Sequence, residues 1–480
     1  MRRLRFRSLA VSSLALVAVA AQAGSRPRYG GVARIALQHK VMSLDPLADE
    51  EYPATRDRIS SLLFETLAVL DSRGVARPRL ASWWSADATK RRWQFRLRLA
   101  NFQDGTALTA SDVIASLSKA NGAWKYSAAD RETVTIESPV PVVHMPELLA
   151  LEKFAILKRS QDGTLIGTGP YKLGEWQPGD HASLSANDDY WGGRAFPDAV
   201  EFQMNASLKE QFLARQLDPF AAAELSIDQL HMVEQSNQSV LLSQPSDLLV
   251  LVFLQPDSSS AARAGRRNLD PALRQALSLA VNRTAISNAI LQRKARPASG
   301  MLPQWLTGFE FLIPGGTDLE RARQLRNSIA AQAMPPPITL AYDFSDPVAK
   351  STAERIAVDA REAGITLQPY GESHVNTRGA RASVNADVVL LRLPLASVEP
   401  TVALAQRAEV LGLFPESSAA LAAARPEDLF EVERRMLADF RIIPVAHLSQ
   451  AVWLSYAVHN WIQDAAGGWN LDQLWLEGAH

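Results

Sequence analysis

The chain has 480 residues, with 50 lysines and arginines against 51 acidic residues, 47% hydrophobic residues and no cysteine. At this length a fold buries roughly 75% of the surface its unfolded chain exposes, so it needs no covalent staples. The missing cysteines exclude disulfides, thiolate metal sites, iron–sulfur clusters and thiol nucleophiles.

Arg2, Arg3, Arg5 and Arg7 precede a short apolar run, Ser8 to Ala20, and Ala21-Gln22-Ala23 then places small residues before Gly24. This is the pattern of a secretory signal peptide over 1–23, too short to span a membrane and without a lipid-accepting cysteine. Without its four arginines the remainder holds 46 basic and 51 acidic residues, a net charge of about −5. That charge is unsuited to nucleic acid and suited to an aqueous envelope space, so the expected location is the periplasm.

Strand and helix patterns alternate from there on, which predicts mixed α/β layers. Val32 to Leu37 reads as a first strand, halted by Ser43-Leu44-Asp45-Pro46. Arg92 to Arg98 alternates with Trp93, Phe95 and Leu97 on one face, and Asp104-Gly105 is a turn. Thr109-Ala110-Ser111-Asp112 is a capping box opening a helix to about Lys119. Trp83, Trp93, Trp176 and Trp191 are expected to pack in the core. Leu248 to Leu254 and Val388 to Leu395 are buried strands, and Asp270-Pro271 starts a helix. Ile338 to Tyr342, a helix ended by Gly364, and a strand beginning at Ile365 make a βαβ unit and therefore a parallel pair. A helix over Asp428 to Phe440 and a strand over Ile443 to Leu448 close the pattern.

Common catalytic constellations are missing: no His-Glu-x-x-His, Gly-x-Ser-x-Gly, phosphate-binding loop or Gly-x-Gly-x-x-Gly. The eight histidines are scattered with no metal-ligand spacing on one element. His39 stands out because it follows a strand end. No enzyme activity and no cofactor are expected.

Leu62-Leu63-Phe64-Glu65-Thr66-Leu67 with Arg77-Pro78-Arg79-Leu80-Ala81-Ser82-Trp83 resembles the opening of the family 5 extracellular solute-binding proteins, receptors for peptides, nickel complexes and related solutes. Trp93 to Arg98 with Phe102-Gln103-Asp104-Gly105-Thr106 is similar to that family's most recognisable run. Gly167-Thr168-Gly169-Pro170-Tyr171 with Asn187-Asp188-Asp189-Tyr190-Trp191-Gly192-Gly193 resembles a second signature. Leu273-Arg274-Gln275-Ala276-Leu277 with Ala280-Val281-Asn282-Arg283 resembles a third. The resemblance implies a two-lobed periplasmic-binding-protein-like α/β fold of type II with an extra subdomain. The main part of lobe I would take 24–51, 167–250 and 452–480, the extra subdomain 52–166, and lobe II 251–451. It also implies a monomer that delivers a small molecule or peptide to an ABC permease in the inner membrane, with no nucleic-acid partner.

The ligand positions depart from the family. Peptide-binding members carry a Trp and then an Asp that receives the peptide amine. Leu393 and Ala396 stand at those positions here, with Glu399-Pro400 beyond. A methyl group accepts no charge-assisted hydrogen bond, so capture of a free peptide amine is not expected. His39, Lys40, Met42 and Arg392 complete the expected ligand set, Lys40 and Arg392 as attractants for a carboxylate or phosphate. The Ala-rich stretch Thr401 to Arg425 is shorter than its family counterpart and predicts a remodelled cleft. Two other readings stay open: a sensory or scaffold protein that has lost import, and an envelope hydrolase using a carboxylate pair.

Overall fold

A computed structural model describes residues 27–204, 221–235, 239–256, 266–329 and 336–477. The expected signal peptide lies outside the described residues. Two large sheets organise the chain. The first runs Tyr171–Gln177, His181–Ala186, Ala199–Gln203, Val32–Ala36, Ala222–Leu225, Ala451–Leu454, Val240–Leu242 from edge to edge. Its centre is parallel, with Val32–Ala36 flanked by Ala199–Gln203 and Ala222–Leu225. The helix Pro53–Leu63 packs Ile59, Leu62 and Leu63 into the core beneath it.

The second sheet runs Ala295–Pro297, Ile442–Leu448, Asp247–Phe253, Val388–Leu393, Ile338–Asp343, Leu367–Glu372. The predicted βαβ unit is present: Ile338–Asp343 and Leu367–Glu372 are parallel, and the helix Pro347–Glu362 joins them. Asp346 caps that helix through Val348 N–H at 2.8 Å, and Gly364 stops it with φ +75°, the left-handed conformation that glycine adopts without steric cost. Apolar cores cover both faces of this sheet, which is why Asp247–Phe253 and Val388–Leu393 read as unbroken hydrophobic runs rather than alternating ones. Because Asp247–Phe253 lies wholly in this sheet, a lobe boundary at 250/251 would cut a strand. The crossing falls before Asp247.

A smaller antiparallel sheet, Ala81–Ala86, Arg92–Leu97, Thr133–Glu137, Lys125–Asp130, carries its own core. The capping box is formed as predicted: Asp112 N–H donates to Thr109 Oγ1 at 3.4 Å and Thr109 N–H to Asp112 Oδ2 at 2.9 Å, so Ala110–Ala120 is helical. Trp93 is buried, but Trp83 is 55% exposed. The register shift between Ala81 and Trp83 interrupts the strict alternation of this edge strand, and the core expectation fails there.

Two of the family signatures converge on one carboxylate. Glu65 is buried at the junction of the small sheet and the first large one. Its oxygens accept from Arg79 Nε at 2.9 Å, Tyr190 Oη at 2.8 Å, Thr168 Oγ1 at 2.8 Å and Trp191 Nε1 at 2.9 Å. Four donors offset the cost of taking one charge out of water. The glycines of the same motif allow the approach. A Cβ on Gly167 would run into the Leu63 carbonyl oxygen, and one on Gly169 would sit 2.5 Å from that of Leu62.

Candidate functional site

Among the described residues the two large sheets exchange chain at two places, after Leu242 and after Leu448. The crossings are paired with each other. Ser243 N–H donates to the Gln450 carbonyl at 2.9 Å, Gln450 N–H to Ser243 Oγ at 2.9 Å, and Ser246 N–H to the Leu448 carbonyl at 2.9 Å. Two adjacent, mutually hydrogen-bonded crossings between the sheets have the layout of a hinge.

The sheets face one another with the ends of their strands. Ile338–Asp343 and Val388–Leu393 run parallel, so Asp343 and Arg392 sit at the same carboxyl edge, and Asp247 opens the antiparallel strand between Val388–Leu393 and Ile442–Leu448. That edge is where α/β sheets present ligand-handling groups, because side chains there leave the sheet without a following strand residue to cover them. On the other body, His39 lies just past Val32–Ala36, Glu224 sits in Ala222–Leu225, Tyr52 is the residue before Pro53–Leu63 and Arg58 lies midway along that helix.

A chain of polar side chains runs from one body through the hinge to the other. Glu224 pairs with Arg58. Arg58 Nη2 donates to Gln450 Oε1 at 2.5 Å, and Gln450 Nε2 to Asp247 Oδ1 at 2.8 Å. The other Asp247 oxygen takes Arg392 Nε at 3.1 Å and Nη2 at 3.0 Å, and Arg392 Nη1 lies 4.0 Å from Asp346. The Arg392 side chain keeps 26% exposure. Beside this chain the His39 ring stacks on Tyr52, with centroids 3.7 Å apart and planes at 10°. Burial, then the Arg392 and Arg58 guanidiniums, hold the His39 imidazole down to about 3, so it is neutral. Burial and the bond to Asp343 push the Tyr52 hydroxyl far above its ordinary range, so it acts only as a neutral donor or acceptor.

Of the residues read from sequence, only His39 and Arg392 come together. Lys40 is exposed, and Met42 is 58% exposed beside the turn at Gly179. Leu393 is buried in the core of the second sheet. Ala396 is exposed, between the buried Leu395 and Ser397, and so leaves no carboxylate there. Glu399 caps the helix Pro400–Val410 by accepting Val402 N–H at 2.8 Å. The pair Glu399-Pro400 is therefore a helix start, cap residue then N1 proline. The sequence reading missed Tyr52, Arg58, Asp247, Asp343, Asp346 and Gln450. A usable signal was present: Asp343-Phe344-Ser345-Asp346-Pro347 places two carboxylates between a strand end and a helix start. The Ala-rich stretch forms two helices, Pro400–Val410 and Phe414–Ala422. They reach the small-sheet body through Val402 in its core and the Leu421 carbonyl, which accepts Val143 N–H at 3.1 Å.

Two α/β bodies on a paired hinge, with polar strand ends meeting across the junction, define a two-lobed binding-protein architecture. Residues 76–402 match the Bacterial extracellular solute-binding proteins, family 5 Middle, and the chain belongs to that family. It is 26% identical over 359 residues to the periplasmic oligopeptide-binding protein OppA of Escherichia coli, a match spanning 64% of each chain, just under two thirds of that relative's length. It is 26% identical to the nickel-binding protein NikA of Staphylococcus aureus over 41% of this chain and 42% of that one. Among solved structures, the binding protein AgaA of Agrobacterium tumefaciens, in complex with agropinic acid, superposes with a TM-score of 0.78 at 17% identity, over 94% of this chain and 99% of that one. Helicobacter pylori DppA, in complex with the peptide STSA, gives 0.77 at 17% identity, over 94% and 99%. At these identities the superpositions establish the fold. Among the described residues no helix is long and apolar enough to cross a membrane.

Proposed function

We propose that this chain is an exported receptor that holds a small polar solute between its two α/β lobes and passes it, as a monomer, to an ABC permease of the inner membrane, without chemistry on the solute. The observation that carries the reading is the paired hinge with charged strand ends on both sides: a body built to open and close around a guest. The named ligands of the relatives, oligopeptide, nickel and agropinic acid, put the guest in the small-solute range. The lobes are proposed to divide at the hinge, with 52–166 as an extra body on lobe I, apart from the helix Pro53–Leu63, which packs on lobe I itself.

Ala396 and the guanidiniums of Arg58 and Arg392 argue against a site for a free peptide amine and for one that tolerates or uses a carboxylate. Isothermal titration with a di- to pentapeptide series, each member with a free and with an acetylated amino terminus, is the test. Micromolar binding that disappears on acetylation overturns this assignment. Native mass spectrometry of the protein purified without denaturation is expected to show a retained small polar solute.

One observation favours a second reading, a sensor or scaffold with no import role. The polar groups at the junction are already paired with one another, Arg392 with Asp247 and Tyr52 with Asp343. Absence of any retained solute, together with failure to bind a permease in reconstituted membranes, would select that reading.

A further inference from the structure

Three residues of one short segment, Asp49, Glu51 and Tyr52, reach from lobe I to lobe II. Asp49 Oδ1 accepts Arg378 N–H at 3.1 Å and its Oδ2 accepts Gly379 N–H at 2.7 Å, at the start of the helix Arg378–Ser383. Glu51 Oε2 lies 2.7 Å from His374 Nδ1. The Tyr52 hydroxyl donates to Asp343 and sits 3.0 Å from Ser345 Oγ. Every partner lies at the carboxyl edge of the second sheet, at the end of Ile338–Asp343 or in the stretch that follows it or Leu367–Glu372.

The segment is stiff before it touches anything. Glu50 Oε2 accepts Met42 N–H at 3.1 Å and Ser43 N–H at 2.9 Å, and Arg56 Nη1 donates to the Ala48 carbonyl at 3.1 Å. Pro53 fixes the entry into the helix that follows, and the flat stack on His39 holds the Tyr52 ring. A finger held this way forfeits little conformational freedom when it docks.

All three contacts join groups of the chain itself and need no guest to bridge them. We propose that residues 49–52 form a latch that holds the two lobes closed in the empty protein, so that the closed population is set by the chain itself before any solute binds. A solute can shift the open–closed balance only by its differential affinity for the two states. With the latch engaged, closure adds little to the discrimination of guests. Entry waits on spontaneous opening, and breaking the latch speeds entry while weakening retention. This goes beyond the receptor reading and rests on it only for that consequence.

The test is made without solute. The chain contains no native cysteine, so nitroxide labels at Glu175→Cys on lobe I and Lys350→Cys on lobe II report the interlobe distance by pulsed electron spin resonance. The parent double-labelled protein is expected to give one dominant short-distance population. Tyr52→Phe keeps the ring and removes the hydroxyl, and should raise the open-to-closed ratio about fivefold, as expected for one such bond held against water. Asp343→Asn, made on the other lobe, should do the same, and Asp49→Ala with Tyr52→Phe should do more. Circular dichroism and melting temperature confirm that each variant is folded, and solution scattering gives an independent radius of gyration. A parent protein that is mostly open when empty, or folded variants with unchanged distances, would overturn the latch. Either result leaves the receptor reading intact, because that reading fails only if no solute is retained and no permease is bound.

Discussion

Two polar centres in this molecule are built from similar groups for opposite ends. Around Glu65, one carboxylate takes four donors, all from the small-sheet body and lobe I, and its side chain has no exposure. Across the lobe junction, the Tyr52–Asp343 and Glu51–His374 pairs are each made by one bond, and Arg392 beside them, paired with Asp247 of its own lobe, stays 26% exposed. A charge that never meets water again has to be satisfied in full, because every missing donor costs free energy permanently. A junction that parts, as proposed for this one, needs contacts that water can replace, and so keeps them few and near solvent. The same residue types thus make a weld in one place and a catch in the other.

The largest effect should fall on the weld. Glu65→Ala strands Arg79, Thr168, Tyr190 and Trp191 without their acceptor and is expected to cost about 3–5 kcal/mol, read as a drop in urea midpoint. A loss under 1 kcal/mol would mean that the cluster is not structural. Gly167→Ala forces a methyl onto the Leu63 carbonyl and should cost about 1–3 kcal/mol through strain, with no change in interlobe distance.

Next comes a pH effect inside lobe II. Glu433 is buried and accepts Leu302 N–H at 3.0 Å, and burial pushes its carboxyl up to about 7. A carboxyl that holds its proton more tightly folded than unfolded stabilises the fold below its ordinary value of 4.5. That contribution declines as pH rises and is gone above 7. Stability should therefore fall by about 1–3 kcal/mol between pH 4.5 and 8 from this group, and Glu433→Gln should flatten the curve.

At the catch, acidification acts through His39. Its neutral form is held in the closed junction down to about 3, against about 6.5 when exposed to water. Closure by this group is fully supported above 6.5 and is increasingly opposed as pH falls below it. Glu51 acts in the other direction, since burial and Asp343 raise its carboxyl. His39→Gln and Glu51→Gln, made separately, divide the two contributions. The labelled protein is expected to open between pH 7.5 and 5, and His39→Gln should abolish that opening. The smallest effect belongs to Lys40→Glu, at an exposed position, expected to change stability and closure by less than about 0.5 kcal/mol.

The elements near the weld were legible because their signals are local. The Thr109 capping box, the turn at Gly105, the strand Arg92–Leu97 and the two glycines at 167 and 169 each state their conformation within a few residues. The catch was not legible, because Tyr52 and Asp343 are 291 positions apart and neither carries a local pattern that names the other. Glu399-Pro400 shows the hazard of reading a pair by position alone: its local meaning, a cap, was the one the fold used.

The sequence by itself determined the family, the α/β layering and most strand and helix positions, since periodicity, caps and close-packed glycines are written in short stretches. Only the tertiary structure decided which charges meet across the hinge, that Arg392 answers Asp247 rather than open water, and that residues 49–52 clasp the opposite lobe. Those pairings depend on two sheets folding separately and presenting their strand ends to one another, a geometry that no short stretch of chain contains.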